Sequence, residues 1–477
     1  MNGAQYEAIP AQFKSASLHP DGSINLARSY FRIPAGDPLT ANGYQNYYLY
    51  DGSVSLASPS VDNPISLQDL GNEYKLTTSN SQNQAVEIII DKNVFNIARQ
   101  VNVGGVDVWP DDAASRGFYY TDSNGVLYST LNTPASIQWV WDGDYTKVLR
   151  VEGVFKNSLG QIGMSYISYL QFHAGTSRVD VDSFLVMNRG VRTLSVNGGH
   201  VRFKDLYFQS DLGVTSGTIT LNTDFYTKNN YAGENIQVIQ DGTEGNFNDW
   251  GVVPSLNGPI DNTVGNSMDN IYSRVRENGA LVYSAGGTPT SNPGYYGQNP
   301  VQPVAGTQSN GVFSVSSSNG ARFSSFYKDF WQQSPKSISL DSNNLYRLDL
   351  LPRQNIYNDF THTQGLTHYY DHSSSGTSLY EQYTGYSISC TNPANSLCNK
   401  YHPPDAQNYV LEAQRGKVHR FGFNFDSNLP MSLQDYGKAY QVNLLGLPPK
   451  EYWGEQGADY LPMYIESKDW GSEPLLS

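Results

Sequence analysis

Two groups of residues have the types and spacing that proton-transfer chemistry needs. His200 and Arg202 stand two apart, with Tyr207 shortly after. In a strand, residues two apart share a face, so a base and a cation there would point the same way. Lys417, His419 and Arg420 form the second group. A base of this kind can abstract a carbon-bound proton beside a carboxylate, and a neighbouring cation then steadies the enolate-like charge. The same residues also read as ordinary polar strand positions. Lys417-Val418-His419-Arg420-Phe421-Gly422-Phe423 alternates without needing any chemistry to explain it.

Metal-ligand patterns are weaker. His362, His368 and His372 are spaced six and four apart in a Tyr/Ser-rich stretch. Loop histidines in such surroundings are more often solvated than ligating. Asp180 with Asp182, or Asp111 with Asp112, supply oxygen pairs that suit Ca²⁺. No metal site is assigned, and Ca²⁺ is the one cofactor the carboxylate pairs suggest. Cys390 and Cys398 flank Thr-Asn-Pro-Ala-Asn-Ser-Leu, and the plain reading is a local disulfide closing a short loop. Their spacing is long for a zinc knuckle, even with His402 and His368 or His372 as partners. No nucleophile elbow, phosphate-binding glycine loop or HExxH motif occurs. Trp250, Trp331 and Trp453 lie among Gly, Asn, Gln and Asp. Such settings can offer a sugar an aromatic platform beside planar polar groups, and equally suit core or interface packing.

The elements that must position these residues are strands. Short apolar runs separated by Gly, Asn, Asp and Ser clusters are the pattern of sandwiches and barrels. Residues Ile9 to Phe31 read as two strands about the turn His19-Pro20-Asp21-Gly22, followed by strands at Gln45–Tyr50 and Glu73–Thr78. From Val86 the candidates come steadily: Phe95–Val103, Gly117–Tyr120, Ser136–Trp141, Lys147–Phe155, Ile162–His173, Arg178–Asn188, His200–Gln209 and Gly217–Tyr226. Lys156-Asn157-Ser158-Leu159-Gly160 signals a hairpin. After a Gly/Asn/Pro-rich stretch at about 241–310, strands resume at Gly311–Tyr327, Ser337–Leu340, Leu345–Leu350 and Val418–Phe425, with one short helix near Gln434 to Leu445. The expected architecture is all-β: a small N-terminal β-barrel (1–84), a large antiparallel β-sandwich (85–336), and a β-rich C-terminal region (337–477) with a loop insertion at 357–408.

Three stretches then resemble a family, in order. Ile9-Pro10-Ala11-Gln12-Phe13 with His19-Pro20-Asp21-Gly22-Ser23 is similar to the opening of the exo-rhamnogalacturonan lyase (YetA-like) family. Lys328-Asp329-Phe330-Trp331-Gln332-Gln333-Ser334-Pro335-Lys336 resembles its "RDFWQ.FPK" segment. Leu411-Glu412-Ala413-Gln414-Arg415-Gly416-Lys417-Val418-His419 resembles its "EL..G..KTHE" segment, although Arg420 stands where the family often has Glu. Leu149 to Asn188 also follows the family's pattern. The resemblance implies an N-terminal RIFT-type barrel and a central β-sandwich. It also implies that the chain stops where a C-terminal α/α toroid would begin.

Composition narrows the partners. The net charge of −14, without a basic run, disfavours nucleic acid. Aromatic residues make up 13% of the chain, enough to build a core, so disorder is not expected. No run approaches the ~20 apolar residues of a membrane helix, and no leader is visible at Met1–Gln12. Asn-x-Ser/Thr is absent despite many asparagines, which leans toward a bacterial, archaeal or viral source. The expected location is extracellular, at a cell surface or in a virion. The leading expectation is a non-catalytic or catalytically incomplete lyase-like β-module associated with an acidic or neutral glycan in adhesion or scaffolding. The alternatives are a self-assembling structural subunit of a fibre, filament or virion, and an active polysaccharide lyase acting by β-elimination.

Overall fold

The computed structural model describes residues 11–18, 20, 24–31, 61–111, 115–186, 200–214, 217–224, 226–240, 273–278, 280–284, 309–318, 320–330, 333, 336–352, 409–412, 416–429 and 432–441. Residues 1–440 form one compact unit and 441–477 a second, of which only Gln441 is described. The described chain is nearly all strand.

Strands β1 (Ala11–Leu18) and β2 (Ile24–Phe31) pair as an antiparallel hairpin. Strands β3 (Ser66–Asp69), β4 (Glu73–Ser79), β5 (Ala85–Asp91), β6 (Gln100–Val103) and β7 (Val106–Trp109) form an open five-stranded meander. No barrel closes among the described residues. What is described of the expected N-terminal barrel is a hairpin and a sheet in which β3 pairs with β4 and β7 with β6; residues 1–10 and 32–60 lie outside the described residues. The expected boundary after residue 84 falls between β4 and β5, which pair along their whole length.

The other described strands make the sandwich. One layer runs β10 (Ser136–Asp142), β11 (Thr146–Asn157), β12 (Ile162–His173), β13 (Val179–Val186), β25 (Gly416–Asn424), β21 (Arg322–Tyr327), β20 (Val312–Ser317), β15 (Ile219–Thr223) and β16 (Thr227–Lys228). The facing layer runs β9 (Leu127–Ser129), β8 (Gly117–Asp122), β14 (His200–Asp211), β23 (Leu345–Leu351), β22 (Lys336–Leu340), β17 (Ile236–Gln240), β18 (Ser273–Glu277) and β19 (Ala280–Ser284). β24 (Tyr409–Glu412) pairs with the first half of β14, and β9 also pairs with β11, joining the layers at one edge. The expected boundary after residue 336 falls inside β22, which pairs with β17 and β23.

Alternation explains the core. Phe421 and Phe423 on β25 point inward and meet Phe118 and Phe208 of the facing layer, with ring centroids 6.1 Å and 5.5 Å apart. Phe323 meets Tyr346 at 4.8 Å. Trp109, at the end of β7, packs 5.0 Å from Phe423, so the meander shares this core. The junction is tight at Gly213, whose N–H donates to the Val108 carbonyl at 2.9 Å. A Cβ on Gly213 would lie 1.9 Å from the Asp107 carbonyl oxygen, which only glycine avoids.

The expected short helix is α1 (Leu433–Gln441). Ser432 caps it by accepting the Asp435 N–H at 3.1 Å. Tyr436 and Tyr440, one turn apart, stack on Phe326 on the outer side of the first layer. No helix among the described residues is long and apolar enough to cross a membrane.

Candidate functional site

The outer face of the second layer carries two adjacent polar rows set by strand register. Tyr119, Tyr207, Asp349 and Ser337 are direct cross-strand neighbours over β8, β14, β23 and β22. Gln209, Arg347, Ser339 and Gln237 form the next row over β14, β23, β22 and β17. The Tyr119 and Tyr207 rings stack at 5.4 Å and 14°. The Arg347 guanidinium lies 3.4 Å over the Tyr207 ring. Its Nε donates to Asp349 at 2.6 Å and its Nη2 lies 3.6 Å from Asp205. Asp349 also accepts from the Ser337 hydroxyl at 2.7 Å, and Asp205 accepts the Thr121 N–H at 2.9 Å. Burial raises the Asp349 carboxyl above its ordinary value, and the opposing pull of Arg347 does not cancel it. The Arg347 side chain keeps 29% of its surface exposed, while Asp205 and Asp349 keep 6% and 5%.

A second cluster lies on the inner face, at one end of the sandwich. His419 is fully buried and stands opposite Ser183 on β13. Its Nδ1 is hydrogen bonded to the Tyr327 hydroxyl, and its Nε2 is buried without a partner. Lys417 is two residues earlier on the same face, and Lys336 begins β22 in the facing layer. The Lys336 ammonium sits 5.6 Å from the Tyr327 ring and donates to the Gln333 carbonyl. Burial, reinforced by Lys336 and Lys417, holds His419 well below its ordinary value. Burial also lowers Lys417 and, well below the ordinary value, Lys336.

The structure thus brings Lys417 and His419 together, as their spacing requires, and adds Tyr327 and Lys336. Arg420 faces the other way, 3.5 Å from Asp182. Tyr207 joins the outer-face rows. His200 and Arg202 occupy alternate β14 positions opposite Glu412 and Val410; their side chains lie outside the described residues. So do Trp250, Trp331, Trp453, the cysteines at 390 and 398, His362, His368, His372, His402 and Asp112. Asp180 accepts from Arg178 and pairs with His173, both at 2.9 Å, and Asp111 is held by Arg99. Among the described residues no group of three or more His, Cys, Asp or Glu could hold a metal ion. Asp349 and Arg347 were missed because Leu345-Tyr346-Arg347-Leu348-Asp349-Leu350 reads as plain alternation; the signal is their register opposite Tyr207 and Gln209.

A third place matters for pH. Asp224, after β15, accepts from the Ser309 hydroxyl at 3.0 Å and the Asn310 N–H at 2.6 Å. Burial pushes its carboxyl up to about 6.

No protein-family model matches the sequence, and no curated protein matches it. Three solved structures are similar in part. One is a putative aldose 1-epimerase from Klebsiella pneumoniae, at 8% identity over 80% of this chain and 90% of that one, with a TM-score of 0.38. Another is a TPR-domain-containing protein from Parabacteroides distasonis, at 7% identity over 80% of this chain and 50% of that one, with a TM-score of 0.34. The third is an alpha-galactosidase from Lactobacillus brevis, at 9% identity over 76% and 39%, with a TM-score of 0.24. Likeness at this level carries no argument about what the chain does.

Proposed function

We propose that the chain is a carbohydrate-associated β-module that does not catalyse β-elimination by itself. The observation that carries this reading is the Arg347 guanidinium, partly exposed, stacked on Tyr207 and flanked by Asp205 and Asp349. Planar charged and amide groups backed by aromatic rings are the equipment for holding sugar hydroxyls. Gln209, Ser339 and Gln237 extend the array along the same face. The resemblance of the Lys328–Lys336 and Leu411–His419 stretches to exo-rhamnogalacturonan lyases supports the same class of partner. Tyr327 and His419 lie on the inner face of the sandwich, and His419 is fully buried. A base on that inner face does not reach a sugar seated beside Arg347.

The test is titration calorimetry of the full chain with pectic and neutral oligosaccharides, comparing Arg347→Lys with the unaltered protein. Lysine keeps the charge but loses the stacked, bidentate geometry. Binding that is weakened at least about tenfold by the substitution supports the reading. Equal binding by both proteins refutes it. Appearance of the far-ultraviolet absorbance of an unsaturated uronate would replace it with an active lyase. Polymers in negative stain without glycan binding would replace it with a structural subunit of a larger assembly, at a cell surface or in a virion.

A further inference from the structure

We infer that the start of β25, with Lys336 and the Tyr327 hydroxyl beside it, is a binding site for a small oxyanion, a carboxylate or a phosphate. The inference goes beyond the glycan reading and does not depend on it, because one group lies on the outer face of the second layer and the other on the inner face between the layers.

Position is the first observation. β25 starts at Gly416 and β22 at Lys336, while β13 ends at Val186, β17 at Gln240 and β21 at Tyr327. Register places these ends together: Gly416 faces Val186, and Lys336 faces Gln240. The cluster therefore sits at a rim of the sandwich, where scaffold strands give way to connections. Lys417 is only partly buried.

The second observation is an imbalance of charge and hydrogen bonding. Lys417 makes no ion pair or hydrogen bond among the described residues. His419 Nε2 is buried with no partner at all. Buried polar atoms in native proteins are nearly always satisfied, so an orphaned ring nitrogen beside an unpaired ammonium marks a place for an acceptor that the chain does not supply. The groups facing it are Tyr327 and Asp329 from the end of β21 and its following turn, Lys336 from β22, and the uncharged Ser183 and Leu185 across β13. Asp329 bears on the Tyr327 hydroxyl, not on His419.

An oxyanion would accept from Lys417 and from a protonated Nε2 of His419. Its negative charge would favour the protonated forms that burial disfavours at Lys417 and His419, so binding takes up protons. The linkage runs one way: affinity rises as pH falls.

The experiment is titration of the full chain with inorganic phosphate, with sulfate and with galacturonate, against chloride and galactose at matched ionic strength. Each titration is run in two buffers of different ionisation enthalpy, near about pH 6 and about pH 8. The expected result is saturable binding of at least one oxyanion, tighter at the lower pH, with proton uptake, and at least about tenfold weaker in Lys417→Met. Binding of phosphate and sulfate alone identifies a free inorganic anion; binding of galacturonate alone identifies a sugar carboxylate. Lys417 lies at the rim, so its substitution leaves a folded protein to test. A His419→Gln variant, if it folds, should lose the proton uptake. Absence of saturable binding by all three oxyanions, or undiminished binding by Lys417→Met, overturns the inference.

Discussion

The two sides of β22 solve the same electrostatic problem in opposite ways. On the outer side, below Ser337, one cation meets two carboxylates and an aromatic ring: Arg347 with Asp349, Asp205 and Tyr207. On the inner side, Lys336 stands with Lys417 and His419, and burial, reinforced by like charge, lowers Lys336 and His419. A buried charge is tolerable when paired and expensive when alone, because the low-dielectric interior strengthens attraction and repulsion alike. The outer cluster is thus built as a finished network. The inner one leaves the His419 Nε2 buried without an acceptor.

Substitutions can break this contrast. The largest effect is expected for Asp349→Ala, which strips Arg347 and Ser337 of their shared partner. It should destabilise the protein by about 3 kcal/mol in chemical denaturation. A change below about 1 kcal/mol would mean the network holds no more tightly than an exposed ion pair.

Asp224 sharpens the comparison from the acidic side, as a buried carboxyl without a cation. Its folded value, about 6, lies above the ordinary 3.8. A group raised in this way contributes stability that is complete below the unfolded value and is lost as pH rises through the folded one. Asp224→Asn keeps one acceptor oxygen for the Asn310 N–H, turns its amide NH2 to the Ser309 hydroxyl, and cannot ionise. It should raise stability near pH 7 by about 2 kcal/mol and leave it unchanged near pH 3. A gain of equal size at both pH values would assign the effect to packing.

Lys417→Met, measured without added oxyanion, should shift stability by no more than about 1 kcal/mol, with any change in the stabilising direction, because no pairing is lost. The smallest effect belongs to Arg420→Ala. Its 3.5 Å pair with Asp182 is half exposed, and its removal should cost less than about 0.5 kcal/mol.

Local signals made much of this fold legible. The hairpin read at Lys156 to Gly160 joins β11 and β12, with Gly160 at φ 77° and the Asn157 side chain accepting the Leu159 and Gln161 N–H groups. Period-two alternation in β25 placed His419 and Lys417 on one face correctly. The stretch from Phe95 was misleading. It is apolar and β-branched, yet only Gln100–Val103 is strand, because Ile97 takes φ 69° in a buried irregular connection. Burial, not pleating, explains its apolar residues. Distance in sequence hid the rest: Tyr327 and His419 are 92 residues apart. Arg347 gains its neighbours only through the register of β14 against β23.

The division between the two faces is tested most directly by one calorimetric comparison. A glycan that binds the unaltered chain is titrated into Arg347→Lys and into Lys417→Met. The account predicts that a neutral oligosaccharide loses affinity in the first variant and keeps it in the second. Retained binding in Arg347→Lys with loss in Lys417→Met would contradict it.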